Sequence, residues 1–208
     1  MNLKIYQTGP LDVNTYLLMD DESKEAILID VGGSFDEIYK EILDKGYTLK
    51  YILNTHGHFD HVLGEINIKN KYPNIPIFMH KNDLIHTDKI SQEMKMFGLE
   101  SNIDKFTITS FLDENSDLSI GNNKIKVYHT PGHSGGSVCF YVDNKLFSGD
   151  SLFQRSIGRT DFYDGDYDTL INSIKTKLLP LNEDTIVYPG HGPNTTIRAE
   201  KKFNIYLK

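Results

Sequence analysis

Short apolar runs separated by polar turns dominate the first part of the chain. Strands are predicted at Leu3–Gln7, Asn14–Met19 and Ala26–Asp30, where β-branched, aromatic and aliphatic residues cluster. The next stretch, Phe35–Lys45, is amphipathic, follows a Ser34-x-x-Glu37 capping-box pattern and stops at Gly46. This pattern predicts a helix after three strands.

Strands and helices continue to alternate to the end of the chain. Further strands are predicted at Tyr51–Leu53, Ile77–Met79, Asp117–Ile120, Lys124–Tyr128, Val138–Val142, Lys145–Ser148 and Ile186–Tyr188. Further helices are predicted at Val62–Lys71, at Asp168–Leu179 with Asp168 as N-cap, and at Thr196–Tyr206. Loops rich in glycine and histidine follow several strands, which favours strands inside, helices outside and one working edge built from loops. Residues 1–208 are predicted to form a single domain.

Residues 82–106 form the least strand-like part of the sequence. Met94, Met96 and Phe97 stand there on a polar background. Two interpretations are open for these side chains. They cover a substrate groove, or they pack a helix onto the sheet.

Composition and charge narrow the functional classes. Of the 208 residues, 38% are hydrophobic and 25% are charged, as in an ordinary globular protein. The net charge of −7 argues against non-specific nucleic-acid binding, which needs a basic face. The single cysteine, Cys139, excludes an intramolecular disulfide and a multi-cysteine metal site. With no apolar stretch long enough for a signal peptide or a membrane span, a cytoplasmic protein is expected.

Three of the eight histidines lie within one hexapeptide, His56-Gly57-His58-Phe59-Asp60-His61. Neutral imidazole and carboxylate groups are the usual ligands of zinc and related metals where no thiolate is available. In an extended backbone His56, His58 and Asp60 point to one side, and His61 joins them if the chain turns at Gly57. Four donors exceed what one tetrahedral ion needs if water is to keep a place. Two adjacent ions are therefore predicted.

Three later loops offer further donors, and in each loop a glycine stands just before the donor. These donors are His133, Asp150 and His191, and all three loops follow predicted strands. The glycine lets the backbone turn so that the donor points off the end of the strand. Three further histidines lack this context and are predicted to be structural: His80, His86 and His129. For His129, which lies near His133 in the sequence, a supporting role at the metal site is the alternative.

These residues resemble the signature of the metallo-β-lactamase superfamily. Thr55-His56-Gly57-His58-Phe59-Asp60-His61 matches the THxHxDH motif, and His133, Asp150 and His191 follow in the family order. The resemblance covers nearly the whole chain and implies an α+β fold, a four-layer αββα sandwich with a metal site at one edge. It also implies the ligand sets, with His56, His58 and His133 on one ion, Asp60, His61 and His191 on the second, and Asp150 bridging both.

Position 150 distinguishes branches of this superfamily, because the best-known β-lactamases have cysteine where this chain has Asp150. The chain is similar to the glyoxalase II branch, whose members hydrolyse thioesters of the hydroxyacylglutathione type. The segment from Ser151 to Phe162 looks like that of small bacterial members. So few residues follow His191 that the glutathione-binding helical domain of full-length glyoxalase II is not expected. Arg159 is the candidate substrate-binding residue, and a structural ion pair with Asp161 or Asp164 is the equal alternative.

The leading hypothesis is a binuclear hydrolase in which two divalent ions share a hydroxide that attacks a small-molecule thioester. Zinc is favoured, with iron or manganese as alternatives, and Asp60 is the candidate catalytic residue as a ligand of the second ion. The alternative on the same fold is a persulfide dioxygenase with one iron on His56, His133 and Asp150. A nucleic-acid-processing enzyme and a non-catalytic module are weaker alternatives. Nucleic-acid and membrane partners are not expected, and the oligomeric state is left open.

Overall fold

A computed structural model describes residues 1–100 and 108–208. In chain order its strands are β1 (Asn2–Thr8), β2 (Val13–Met19), β3 (Glu25–Ile29), β4 (Thr48–Leu53), β5 (Ile77–His80), β6 (Ser110–Leu112), β7 (Leu118–Ile120), β8 (Asn123–His129), β9 (Val138–Val142), β10 (Lys145–Gly149), β11 (Leu152–Phe153), β12 (Ser156–Ile157), β13 (Ile186–Pro189) and β14 (Thr195–Thr196). Two six-stranded sheets have the orders β1-β2-β3-β4-β5-β6 and β14-β13-β10-β9-β8-β7, and β11 pairs with β12. Both large sheets are mixed, since β3, β4, β5 and β6 pair in parallel in the first and β10 pairs in parallel with β13 in the second.

The helices are short. They are α1 (Asp36–Asp44), α2 (Phe59–Val62), α3 (Glu65–Lys71), α4 (Leu84–Thr87), α5 (Ile90–Met96), α6 (Tyr167–Ser173) and α7 (Ile197–Phe203). Shorter helical turns cover Lys81–Asp83 and Ile205–Leu207, and a π-helical stretch, Ile174–Leu178, continues α6. Over residues 1–100 and 108–208, no helix has the length and apolar character needed to cross a membrane.

The apolar side chains form layers because strand residues alternate between the two faces of a sheet. In β3, Ile27 and Ile29 belong to a central cluster, whereas Ala26 and Leu28 belong to an outer one. The central cluster joins the two sheets and includes Tyr16, Leu18, Tyr51, Leu53, Ile125, Val127, Phe140 and Phe147. The outer clusters pack helices onto the far faces, with Ile38, Ile42 and Ile68 on the first sheet and Leu170, Ile174 and Ile197 on the second. The predicted αββα sandwich is therefore confirmed.

The predicted helix caps are wrong in two places. Phe35 is the N-cap of α1, and no side chain caps that helix, so the Ser34-x-x-Glu37 pattern does not act as a capping box. The N-cap of α6 is Asp166 rather than Asp168, because the Asp166 carboxylate accepts a hydrogen bond from the Thr169 N–H at 2.7 Å.

The predicted helix over Val62–Lys71 is divided into α2 and α3 at Gly64. A Cβ atom at Gly64 would lie 2.1 Å from the backbone oxygen of Gly33, so the chain passes too close there for any other residue. The helix also begins earlier than predicted, at Phe59. As a result, Asp60 and His61 lie on a helical turn rather than in extended backbone.

Candidate metal centre

Four loops that follow strand ends meet at one edge of the sandwich. The loop after β4 carries His56 and His58, and the loop after β8 carries His133. Asp150 directly follows β10, and His191 follows β13. Since β10 and β13 are parallel neighbours, their ends lie side by side. The fold thus brings together the donors that the sequence predicted.

One group of donors consists of His56, His58 and His133. One ring nitrogen from each lies within 4.8 Å of the others, and all three residues are buried. His58 Nδ1 stands 3.0 Å from His133 Nε2, and His56 Nε2 is buried with no hydrogen-bond partner in the described part of the chain. Two imidazole nitrogens at this distance share a proton or face a common cation. This arrangement has the donor set of a three-histidine metal site.

A second group consists of Asp60, His61 and His191, again with one donor atom each within 4.8 Å. Asp60 Oδ2 lies 3.1 Å from His191 Nε2 and 3.7 Å from His61 Nε2. Asp60 and His61 come from α2, so the i, i+2 spacing of an extended strand is not what brings Asp60 here.

Gly57, between His56 and His58, is required for a close approach of two backbone segments, since a Cβ atom there would lie 2.7 Å from the backbone oxygen of Asp83.

Asp150 lies between the two groups. Its Oδ1 is 3.5 Å from His61 Nε2, and its Oδ2 is 3.6 Å from His133 Nε2. Asp150 Oδ1, His56 Nε2 and His61 Nε2 are buried without hydrogen-bond partners among residues 1–100 and 108–208. Buried polar atoms are normally satisfied, so inward-facing donors without partners fit bound cations. The residues present therefore fit a pair of divalent ions.

Burial and neighbouring charges set the protonation of these groups. Burial, together with the nearby His61, lowers the pKa of His56 well below its ordinary value, and burial with His133 does the same for His58. Burial alone would raise the pKa of Asp150, but the attraction of His61 holds it below the ordinary value. Neutral imidazoles and an ionised carboxylate are the forms that bind metal, so these three shifts favour binding. At His61 burial would lower the pKa, but the carboxylates of Asp60 and Asp30 raise it well above its ordinary value, so an ion that binds there displaces a proton.

Asp30 supports this centre and was not predicted from the sequence. It is buried directly after β3 and accepts hydrogen bonds from the Thr55 N–H at 2.7 Å, the Thr55 hydroxyl at 2.7 Å and His61 Nδ1 at 2.9 Å. A carboxylate on the outer nitrogen of a metal-binding histidine fixes its tautomer and orientation. The available signal was weak: Asp30 ends a predicted strand, but the glycines Gly32 and Gly33 follow it rather than precede it as in the loops of His133, Asp150 and His191.

Asp83 joins the loops that carry the histidines. Its carboxylate accepts hydrogen bonds from the Gly57 N–H at 2.8 Å, the Gly136 N–H at 2.5 Å and the Ser134 hydroxyl at 2.8 Å. The first of these donors lies between His56 and His58, and the other two follow His133. This buried carboxylate therefore fixes the two loops of the first donor group relative to each other.

The remaining histidines divide into two kinds. His80 and His129 stack on each other with ring centroids 4.2 Å apart, and they are not in the donor groups described above. His86, by contrast, lies against the centre, with its ring centroid 4.4 Å from that of His58. The sequence offered no sign of this contact.

A cavity of about 340 Å³ opens onto the centre. Arg159 lines it, and its guanidinium also forms a two-pronged ion pair with Asp161 at 2.7 and 2.8 Å and lies over the Phe162 ring. The predicted ion pair is thus present at the cavity wall, and the predicted substrate role stays a prediction.

The 82–106 segment contributes to both the cavity and the core. On α5, Met94 is buried against Phe59 and Val62, whereas Met96 and Phe97 line the cavity. Met94 is therefore a packing residue, and that Met96 and Phe97 cover a substrate stays a prediction. The part of it beyond residue 100 lies outside the described residues.

The chain matches the family model of the metallo-beta-lactamase superfamily over residues 8–191. It is 39% identical over 211 residues to hydroxyacylglutathione hydrolase GloC of Haemophilus influenzae, with 100% of this chain and 98% of that protein covered. Among solved structures it is similar to BLEG-1, a B3 metallo-beta-lactamase, at 37% identity and a TM-score of 0.90, with 100% of each chain covered. It is also similar to TTHA1623, solved in a di-iron-bound form, at 34% identity and a TM-score of 0.85, with 98% of this chain and 100% of that chain covered.

Proposed function

The chain belongs to the metallo-beta-lactamase superfamily, and from this membership we propose that it is a binuclear metallo-hydrolase that cleaves small-molecule thioesters of the hydroxyacyl type. The Haemophilus influenzae relative is named a hydroxyacylglutathione hydrolase, and the match covers 98% of that relative. This name supports such a substrate. We also propose that residues 1–208 form one domain around the site.

In this proposal each donor group holds one divalent ion, with Asp150 between them. The first set is His56, His58 and His133, and the second is Asp60, His61 and His191. The observation that carries the proposal is that the two carboxylate oxygens of Asp150 face histidines of different groups, at 3.5 and 3.6 Å. Zinc is proposed, with iron or manganese as alternatives, because histidine and carboxylate accept all three. The di-iron-bound form of a similar protein supports the number of ions.

Divalent ions held by these residues would polarise a carbonyl oxygen and would lower the pKa of bound water toward about 7. The protein's own side chains position and shield the substrate. Arg159 binds an anionic group of the substrate, while Asp161 and Phe162 hold its guanidinium at the cavity wall. Leu11 and Phe59 supply an apolar wall that excludes water from the bond being cleaved.

Thiol release tests the function. Metal-free protein is loaded with zinc, iron or manganese and offered hydroxyacyl thioesters of glutathione and of other thiol carriers, with a β-lactam for comparison. We expect thioester hydrolysis that chelation abolishes and the ion restores. No thiol release with any of the three metals would contradict the proposal. Oxygen consumption with a persulfide and a single bound iron would contradict it in favour of the dioxygenase.

The role of Arg159 is tested with Arg159→Ala. Because a hydrogen bond to a charged group is worth about 1.5–3 kcal/mol, we expect KM for an anionic thioester to rise about tenfold to a hundredfold, with a smaller change in kcat. Arg198→Ala is the matched control, since its guanidinium is exposed and pairs with Glu183 and Asp184, which do not line the cavity. An unchanged KM in Arg159→Ala would leave that residue with only its ion pair.

A further inference from the structure

Three of the four buried histidines of the centre have an outer hydrogen-bond partner. His56 Nδ1 lies 3.0 Å from the Thr55 hydroxyl, and His61 Nδ1 lies 2.9 Å from Asp30 Oδ2. His133 Nδ1 donates to the backbone oxygen of Arg159 at 2.8 Å. Each ring is therefore fixed from behind, with its other nitrogen free to face the centre.

His58 is the exception. Its Nδ1 faces the centre, 3.0 Å from His133 Nε2, so its Nε2 is the outer nitrogen. This Nε2 is buried and has no hydrogen-bond partner in the described ranges. When a neutral histidine turns Nδ1 toward a cation, the proton resides on Nε2. His58 thus presents a buried N–H that needs an acceptor.

Glu93 on α5 has a buried carboxylate oxygen that lacks a hydrogen-bond donor among the described residues. Its Oε1 lies 2.6 Å from His86 Nδ1, but its Oε2 is buried and without a partner among residues 1–100 and 108–208. One carboxylate oxygen of Glu93 and one ring nitrogen each of His58 and His86 lie within 4.8 Å of one another. A buried donor and a buried acceptor, both unsatisfied, therefore stand in one small cluster.

His86 itself is not available as the acceptor. Its Nδ1 faces Glu93, and its Nε2 lies 3.0 Å from Asp164 Oδ2, so both ring nitrogens face carboxylates and both act as donors. The hydroxyl of Tyr163 also lies near His86, 2.9 Å from Nδ1. His86 thus contacts the Glu93 carboxylate through Nδ1, and its ring also lies against that of His58.

We propose that Glu93 is the positioning residue for His58, accepting the hydrogen bond of its Nε2–H in the metal-loaded protein and so fixing Nδ1 toward the first ion. This inference rests on the proposed function only in taking His58 as a metal ligand. Outer-shell partners of this type commonly change metal affinity by about 10- to 100-fold when they are removed.

The test is a zinc titration of metal-free protein against a competing chelator. In Glu93→Gln the one remaining side-chain oxygen accepts the hydrogen bond from His86 Nδ1. The amide N–H₂ group then takes the place of Oε2 and cannot accept a hydrogen bond from His58 Nε2–H. We expect the affinity for one of the two ions to fall about 10- to 100-fold and the affinity for the other to change less than about threefold. Unchanged affinity for both ions would overturn the inference.

Tyr163→Phe is the matched control, since it removes a hydroxyl from His86 Nδ1 while leaving the Glu93 carboxylate and His58 untouched. It is expected to retain both affinities. If it weakened zinc binding as much as Glu93→Gln, the effect would come from disturbing His86 and the inference would fail. Should Glu93→Gln not fold, Glu93→Asp is the second variant. Its side chain is one methylene shorter, so the carboxylate keeps its charge but no longer reaches His58, and the same loss of zinc affinity is expected.

Nitrogen NMR of the zinc-loaded protein gives a readout independent of activity. We expect a slowly exchanging Nε2–H signal from His58 in the wild type and a shifted or rapidly exchanging one in Glu93→Gln. Because Glu93 also lines the cavity, a raised KM with unchanged zinc affinity would make it a substrate contact and overturn the positioning role. A protein that binds two ions with the expected Glu93 effect but releases no thiol would refute only the proposed function.

Discussion

Replacement of Asp30 by asparagine tests whether the metal centre depends on a buried carboxylate outside the ligand set. Asp30 has a backbone φ of +52°, a left-handed conformation that asparagine tolerates nearly as well as aspartate. The substitution therefore changes the hydrogen bonding and the charge without adding backbone strain. Its consequences fall on Thr55 and His61, the two residues that donate to Asp30.

The expected magnitude follows from counting hydrogen bonds. Asp30 Oδ1 accepts one bond, from the Thr55 N–H, and Oδ2 accepts two, from the Thr55 hydroxyl and His61 Nδ1. Asparagine has one side-chain oxygen, and placing it at the Oδ2 position keeps two of the three bonds. The lost charge-assisted bond is worth about 1.5–3 kcal/mol, and the buried Thr55 N–H left without an acceptor costs a further amount of about 1–3 kcal/mol. The free energy of unfolding is therefore expected to fall by about 2.5–6 kcal/mol.

Urea unfolding of the metal-free protein measures this loss, and zinc titration measures its effect on the centre. Because Asp30 orients His61, the second ion is expected to bind about 10- to 100-fold more weakly, with little change for the first. Asp117→Asn is the control, since this exposed aspartate pairs only with exposed Lys124 among the described residues. A stability loss below about 1 kcal/mol together with unchanged zinc affinity would refute the reasoning.

Three further predictions concern buried groups. Burial raises the pKa of Glu65 well above its ordinary value of 4.5, so the folded state keeps a proton that the unfolded state releases, and the free energy of unfolding falls as pH rises above 4.5. In urea titrations across pH, the free energy of unfolding of Glu65→Gln should rise relative to that of the wild type by up to about 1.4 kcal/mol per pH unit. A difference that stays constant with pH would contradict this. In Gly190→Ala the new Cβ would lie 2.3 Å from Asp150 Oδ1, so zinc stoichiometry should fall, whereas Gly135→Ala, whose nearest neighbour would be 3.6 Å away, should bind normally. Burial raises the pKa of the Cys139 thiol to about 11, so thiol reagents should label it only in denaturant, and fast labelling of folded protein would be the contrary result.

The convergence of the candidate donors at one edge was predictable from the sequence because its signals are local. His133, Asp150 and His191 each follow a strand and a glycine, and the hexapeptide beginning at His56 concentrates four donors. The helical position of Asp60 and His61 was not predictable from this pattern. The structure shows that α2 begins at Phe59, and nothing in the spacing of the hexapeptide marks that start.

The supporting residues were missed because their partners lie far away in the chain. His86 meets Asp164 across 78 positions, and Asp30 meets His61 across 31. No periodicity or spacing rule relates such residues before the strands are ordered in their sheets. Asp30 had only its place at the end of a predicted strand as a signal, whereas Glu93 had none.

The central claim, a binuclear centre bridged by Asp150, is tested most directly by metal stoichiometry. Untagged protein purified without chelator is stripped, reloaded with zinc and analysed for metal per chain, beside Asp60→Ala treated identically. Two equivalents in the wild type and one in Asp60→Ala are predicted, since Asp60 belongs only to the second donor group. A single equivalent in both proteins, at saturating zinc, would contradict the binuclear centre.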